Sequence, residues 1–313
     1  MRYLWLFAVA FLPVRAYTQE IERFNPDTIK TIQLDSVINI KAQKFGVETF
    51  INAIINDNTF YQAFREMKRY SFIAENNIYT YNKQNKVDGQ LYRKIKHYNS
   101  GPKKMEYLAK SDQGNVYKKN GKYQLYTVEM FDFIFLNAYQ TPYVEATGTA
   151  GKPGSTNESY KDKLKTLLFS PGKPIKGLPF IGNKTELFTA NMRQYYDYKY
   201  ESGTYLDSIP VYRFTVSVKD DISRGTKNGL MIKTLTTIFD KRNFEILGRY
   251  VDMKYGNMLF DFDVQMNIEM SYFEGEKLPT KVAYQGNWDH PFKKEERASF
   301  LIVHKDYRLE KGE

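Results

Sequence analysis

The sequence predicts an α+β fold dominated by β structure: a long, curved antiparallel sheet, or half-barrel, packed on N-terminal helices. Aromatic residues make up 16% of the 313 residues, and aromatic side chains favour pleated, half-buried surfaces. Apolar residues recur at helical spacing early in the chain, at about residues 47–68. From residue 194 onwards, apolar and polar residues alternate, which indicates strands with one buried face.

Residues 1–16 are typical of a signal peptide. Arg2 precedes an apolar stretch that ends at Val14, and Val14-Arg15-Ala16 places small residues where a signal peptidase cuts. We therefore expect an exported protein, in the periplasm or at the cell surface, whose residues 17–313 form a single envelope domain. The chain has no cysteine, so disulfides, lipid attachment through cysteine and cysteine-based catalysis are excluded.

Two amphipathic helices are predicted after the signal peptide. Residues 47–56 carry Phe50, Ile51 and Ile54 at helical spacing, and Asn58 is a candidate cap for a second helix that runs through Lys68. Short strands are then predicted at 71–81, 88–98, 103–110, 114–119 and 121–129, with a hairpin turn at Asn120-Gly121.

Positive charge is concentrated on this predicted meander. Residues 83–122 hold eleven lysines and arginines against three acids, in a chain of formal charge +10. Such a concentration favours anionic partners, although a solvated strand face is the simpler explanation. Nucleic acid is not expected as a partner, because export separates the protein from it. The candidate residues for binding an anionic surface are Lys94, Lys96, Lys103, Lys104, Lys118, Lys119 and Lys122.

The middle of the chain, at about 141–190, is predicted to be an irregular insertion with loops at 141–160 and 170–184. The clearest strand follows at 260–272, where thirteen residues alternate strictly and predict a length of ~43 Å. Its apolar face, together with that of the strand near 212–216, is either plain core or the lining of a ligand site. The candidate ligand-binding residues are Tyr212, Phe214, Val216, Phe262, Val264, Met266, Ile268 and Met270.

No motif predicts catalysis. The pattern Gly177 to Thr185 misses the phosphate-loop spacing by one residue, no Gly-x-Ser-x-Gly occurs, and the three histidines lack metal-ligand spacing. No catalytic residue, metal or cofactor is therefore predicted, and a non-enzymatic role is favoured.

The order of elements carries a resemblance. Thr237-Ile238-Phe239-Asp240, Tyr284-Gln285-Gly286 and the opening Thr59-Phe60-Tyr61 resemble the half-barrel of periplasmic lipoprotein carriers and related lipoprotein-sorting proteins, and uncharacterised exported proteins of diderm bacteria. The resemblance implies a protein that holds a lipid or lipoprotein acyl chain between sheet and helices. The basic stretch adds an anionic glycolipid as a candidate partner. No segment after the signal peptide is long and apolar enough to suggest a membrane span, so none is expected.

Two other classes stay open. One is a structural or partner-binding envelope protein that contacts another envelope protein through the loops at 141–160 and 170–184. The other is a hydrolase whose catalytic residues are dispersed along the sequence, which a cluster of acids with perturbed pKa would favour.

Overall fold

The computed structural model describes residues 32, 34, 36–38, 46–100, 104–136, 169, 171–172, 182–257, 260–289 and 295–309. The predicted signal peptide, the loop at 141–160, most of the loop at 170–184, Lys103 and His290 lie outside the described residues.

The described residues form one open sheet of eleven antiparallel strands, which confirms the predicted fold class. The spatial order is β1-β5-β6-β7-β8-β9-β10-β11-β2-β3-β4, so β1 and β4 are the two edges. The strands are β1 (Ser36–Ile38), β2 (Ser71–Tyr81), β3 (Val87–His97), β4 (Met105–Gly114), β5 (Tyr196–Tyr205), β6 (Ile209–Val218), β7 (Ile232–Asp240), β8 (Ile246–Asn257), β9 (Phe260–Phe273), β10 (Glu276–Asp289) and β11 (Glu296–Arg308).

Five α-helices accompany the sheet in the described part of the chain. They are α1 (Val47–Asn56), α2 (Thr59–Glu66), α3 (Tyr126–Phe131), α4 (Ala190–Arg193) and α5 (Arg224–Gly229), with short 3-10 turns at Met67–Arg69 and Gly182–Thr185 and a π-helical turn at Asp132–Leu136. We name the sheet face that contacts α1, α2 and α3 the inner face, and the opposite face the outer face.

Asn58 occupies the N-cap position of α2 as predicted, but its side chain makes no capping hydrogen bond; the Asp57 carboxylate accepts instead from the Thr59 and Phe60 amides at 3.0 and 3.3 Å. Other local predictions were wrong. The α-helix ends at Glu66 and is followed by a 3-10 turn at Met67–Arg69, so it does not run through Lys68. The strands predicted at 114–119 and 121–129 are instead a compact turn followed by α3. In that turn Tyr117 and Tyr123 form an isolated bridge and stack with ring centroids 5.3 Å apart.

Aromatic side chains of the helices pack the inner face. Phe50 of α1 is fully buried, and its ring stacks on Phe214 at 4.9 Å and contacts Phe239 at 5.4 Å. Farther along the strand order, on the same inner face, Phe131 of α3 contacts Tyr284 of β10 and Phe300 of β11, each with ring centroids 4.1 Å apart. The helices therefore bury the apolar face that the long strands would otherwise expose.

The outer face carries apolar clusters, one of them around Ile32 and a smaller one of Tyr250, Ala283 and Leu301. Ile32 packs with Val211, Ile238 and Leu247 in the first of these clusters. Gly248 lies beneath this contact, and a Cβ atom at that position would come within 2.4 Å of the Ile32 Cδ1 atom. Strand β7 is consequently buried on both faces from Leu235 onwards.

We expect Phe50→Ala to lower the free energy of unfolding by about 3–5 kcal/mol, because it removes a ring that five other aromatic rings surround. Urea unfolding followed by circular dichroism measures the change. The control is Asn52→Ala, an exposed position of the same helix, which should stay within about 0.5 kcal/mol of wild type. A loss below 1 kcal/mol for Phe50→Ala would contradict this account of the helix layer.

Candidate functional site

All eight candidate ligand-binding residues belong to the inner face and to the main hydrophobic core. Tyr212 is partly buried, and each of the other seven is at most 1% exposed. The two groups come from β6 and β9, which β7 and β8 separate in the sheet. The predicted alternation therefore assigned these side chains to the correct face.

Their described contacts are with the protein's own side chains. Phe214 lies under Phe50, and Tyr212 meets the same ring edge-on at 5.8 Å. Phe262 stacks on Trp288 at 5.1 Å. A ligand that reaches these residues must therefore displace part of the helix layer that covers them.

One charged residue stands in this apolar layer. Arg249 of β8 is fully buried, its guanidinium lies 4.5 Å from the centre of the Phe60 ring, and its Nη1 donates to the Phe169 carbonyl oxygen at 2.6 Å. Its Nε and Nη2 have no hydrogen-bond partner among the described residues. Burial lowers the pKa of Arg249 to about 10, so the side chain remains cationic at neutral pH.

A second buried cation lies close by. Lys277 of β10 is 8% exposed, and its Nζ donates to the Thr59 hydroxyl at 2.7 Å, at the first residue of α2. Burial lowers the pKa of Lys277; Asp57 opposes this shift and the charge of Arg249 adds to it. Within the described part of the chain, neither Arg249 nor Lys277 forms an ion pair. We call these two residues the cation pair.

Further polar groups are buried on the inner face near β2. Both side-chain amide atoms of Asn76 lack a partner among the described residues, and Asn76 is fully buried. His97 stacks on Phe72 at 4.5 Å, and His304 meets the same ring edge-on at 5.8 Å. Burial lowers the pKa of His97 to about 4 and, with a contribution from His97, that of His304 to about 3. Both imidazoles are therefore neutral at physiological pH.

The candidate lysines do not share one face. Lys94 points to the outer face, where it pairs with Glu75 at 3.2 Å, and Lys96 has the same orientation two residues along β3. Lys118, Lys119 and Lys122 are exposed in the turn on the inner side, where the neighbouring Tyr123 hydroxyl contacts Arg93. Lys104 is exposed just before β4. The structure thus divides the basic stretch between two sides of the sheet.

Carboxylates occur together on the outer face. Burial and the neighbouring Asp263 raise the pKa of Asp252, while Asp263 pairs with Lys254 at 2.5 Å. Among the residues described, no group of three or more His, Cys, Asp or Glu is arranged to hold a metal ion. No helix in the described ranges is long and apolar enough to cross a membrane.

Comparison of the chain with protein-family models finds no match, and searches of curated proteins and of solved structures find none either.

Sequence reasoning missed the cation pair. Arg249 has the same strand parity as Val251, Met253 and Tyr255, all of which are buried on the inner face. A charged residue that alternates in phase with three apolar residues along one strand was the signal that could have revealed Arg249. Lys277 gave no such signal, because β10 is irregular between Pro279 and Lys281 and the alternation is interrupted there.

We expect the free energy of unfolding to decrease as the pH falls below about 6.5. Unfolded histidines titrate near pH 6.5, whereas the folded His97 and His304 resist protonation down to about 4 and about 3. The unfolded state therefore binds more protons in this range, and stability is complete above pH 6.5 and lost as the pH falls. Urea unfolding at pH 7.5, 6.5, 5.5 and 4.5 measures the decrease.

The variant His304→Asn isolates one of the two groups. Its stability should fall less steeply than that of wild type between pH 6.5 and 4.5, by up to about 1.4 kcal/mol for each pH unit. Comparison of slopes removes any constant packing cost of the substitution. Equal slopes in the two proteins would mean that His304 does not resist protonation.

Proposed function

We propose that this protein is an exported, non-catalytic envelope protein that binds the acyl chain of a lipid or lipoprotein between the inner face and its helices. The observation that carries the proposal is Arg249, a fully buried cation inside an aromatic layer; its Nε and Nη2 atoms have no hydrogen-bond partner among the described residues. Each buried donor without a partner costs about 1–3 kcal/mol. A purely structural core would be more stable with an apolar residue at this position.

An amphipathic ligand would match this arrangement. Its anionic end would accept hydrogen bonds from the Arg249 Nε and Nη2 atoms, and Lys277 would supply a second positive charge beneath α2. Its chain would lie along the apolar residues of β9, where Met266 and Met270 adapt to an irregular shape. Entry would require the short helices α1 and α2 to move away from the sheet.

A partner-binding role is the second candidate, and edge strand β4 favours it. This strand is exposed along nearly its whole length, and Met105, Tyr107 and Leu108 are each more than 40% exposed. Edge strands of this kind can pair with a strand of another chain. The hydrolase alternative rests on the outer-face carboxylates, because burial and the neighbouring Asp263 raise the pKa of Asp252, but Asp263 is already paired with Lys254.

Binding of cis-parinaric acid, a fluorescent fatty acid, tests the proposed ligand class. We expect wild type to bind it and Arg249→Gln to bind at least 10-fold more weakly, because the carboxylate loses a charged partner. The matched control is Arg213→Gln on the outer face, where Arg213 pairs with Glu201. The affinity of this variant for the probe should match that of wild type.

Native mass spectrometry of the purified protein should show bound lipid. A stoichiometric protein partner without lipid would favour the second candidate, and no binding of the probe would refute the first.

A protein that takes its lipid from a membrane should be attracted to anionic lipids. Each lysine near the membrane surface contributes ~1 kcal/mol to that binding. We expect vesicles of phosphatidylglycerol to bind the protein in a salt-sensitive manner. Charge reversal of Lys104, Lys118 and Lys119 to Glu should weaken binding at least 10-fold. The control reverses three charges near the other edge of the sheet: Lys199 of β5, Lys219 directly after β6, and Arg224 of α5. Binding that is insensitive to salt, or equal losses in both triple variants, would contradict this role for the basic stretch.

A further inference from the structure

A cleft of about 330 Å³ opens on the outer face, on the side of the sheet away from the helices and the cation pair. Its walls come from β9, β10, β11 and the end of β2. The volume lies at the lower end of the ~300–1,000 Å³ that small-ligand sites occupy. The polar residues that line it are Tyr81, Asn85, Asp263, Gln265, Gln285, Asn287 and Arg297.

The amide groups of β10 are the unusual feature of this cleft. The Oε1 atom of Gln285 and the Oδ1 atom of Asn287 are both shielded from solvent, and neither has a hydrogen-bond partner among the described residues. An amide carbonyl oxygen can accept two hydrogen bonds, and a buried acceptor without a donor is costly. A ligand that fills the cleft with donors would remove this cost.

The charged groups of the cleft are already neutralised. Arg297 pairs with Glu295 at 2.8 Å, and Asp263 pairs with Lys254 at 2.5 Å. The Tyr81 hydroxyl shares a hydrogen bond of 2.8 Å with Ser299. The acceptors without a partner among the described residues are therefore uncharged, and the Asn287 side chain also bonds to Glu295. A ligand reaches the shielded Gln285 Oε1 and Asn287 Oδ1 atoms only when these two side chains turn towards the cleft. Uncharged acceptors favour a neutral ligand with several donors over an ionic one.

We infer that this cleft binds a neutral saccharide. Gln285 and Asn287 are two residues apart on one strand, so their α-carbons are ~7 Å apart, a separation that hydroxyl groups on opposite edges of one sugar ring can bridge. Sugar hydroxyls donate to the two carbonyl oxygens, and the amide of Gln265, directly opposite Gln285 in the sheet, adds both a donor and an acceptor. The site is independent of the acyl-chain site on the inner face.

Saturation-transfer NMR with glucose, N-acetylglucosamine, maltotriose and chitotriose tests the inference. We expect at least one of these probes to bind with a dissociation constant on the order of 1 mM, as a few neutral hydrogen bonds allow. Gln285→Leu and Asn287→Leu, which remove the acceptors, should each weaken that binding about 10-fold or more. Thermal unfolding of each variant establishes that it is folded.

The matched control is Asn77→Leu. Asn77 also lies on the outer face, and its Oδ1 atom is likewise without a partner in the described part of the chain, but it does not line the cleft. This variant should bind the saccharide as wild type does. Absence of transfer to all four probes would overturn the inference, as would an equal loss of binding in Asn77→Leu and in the two cleft variants.

Discussion

The structure depends on the packing of helical aromatic side chains against one face of an open sheet. Eleven antiparallel strands leave two free edges and two faces, and a sheet of this size cannot remain in water with its apolar face uncovered. Phe50 and Phe131 cover that face at two points far apart in the sheet, and Phe169 joins Phe60, Tyr61 and Phe64 between them. Without cysteine, no covalent link supports this contact, so apolar burial carries the stability.

The same layer explains why the buried polar groups are informative. In an interior of low dielectric, a guanidinium without a carboxylate is expensive, and so is an amide without a partner. Arg249 and Asn76 are both found there, on strands that are distant in sequence but belong to one face. These groups lower the stability of the fold. That loss is understandable if the inner face must also receive a polar ligand group, as we propose.

The two faces of the sheet carry different chemistry because strand side chains alternate. On β9, Val264 and Met266 point into the helix layer, while Asp263 and Gln265 point to the outer face. An apolar site and a polar cleft can therefore lie back to back, with one strand contributing to both. Around Ile32 the outer face is apolar, and Ile32, which precedes α1 in the chain, packs on it.

The sequence alone determined the fold class, the first helix and the long strand β9, because these depend on local periodicity. It also assigned the eight candidate lining residues to one buried face. It failed at residues 115–131, where Tyr117, Tyr123 and the contacts of α3 with β11 override the local preference for strand. Only the tertiary structure decided that β11 pairs with β2 across more than 200 residues and that the basic stretch is divided between two sides. It also decided that Arg249 and Lys277 both lie against the first residues of α2. These features arise from pairing between distant segments, which the pattern of any single segment does not encode.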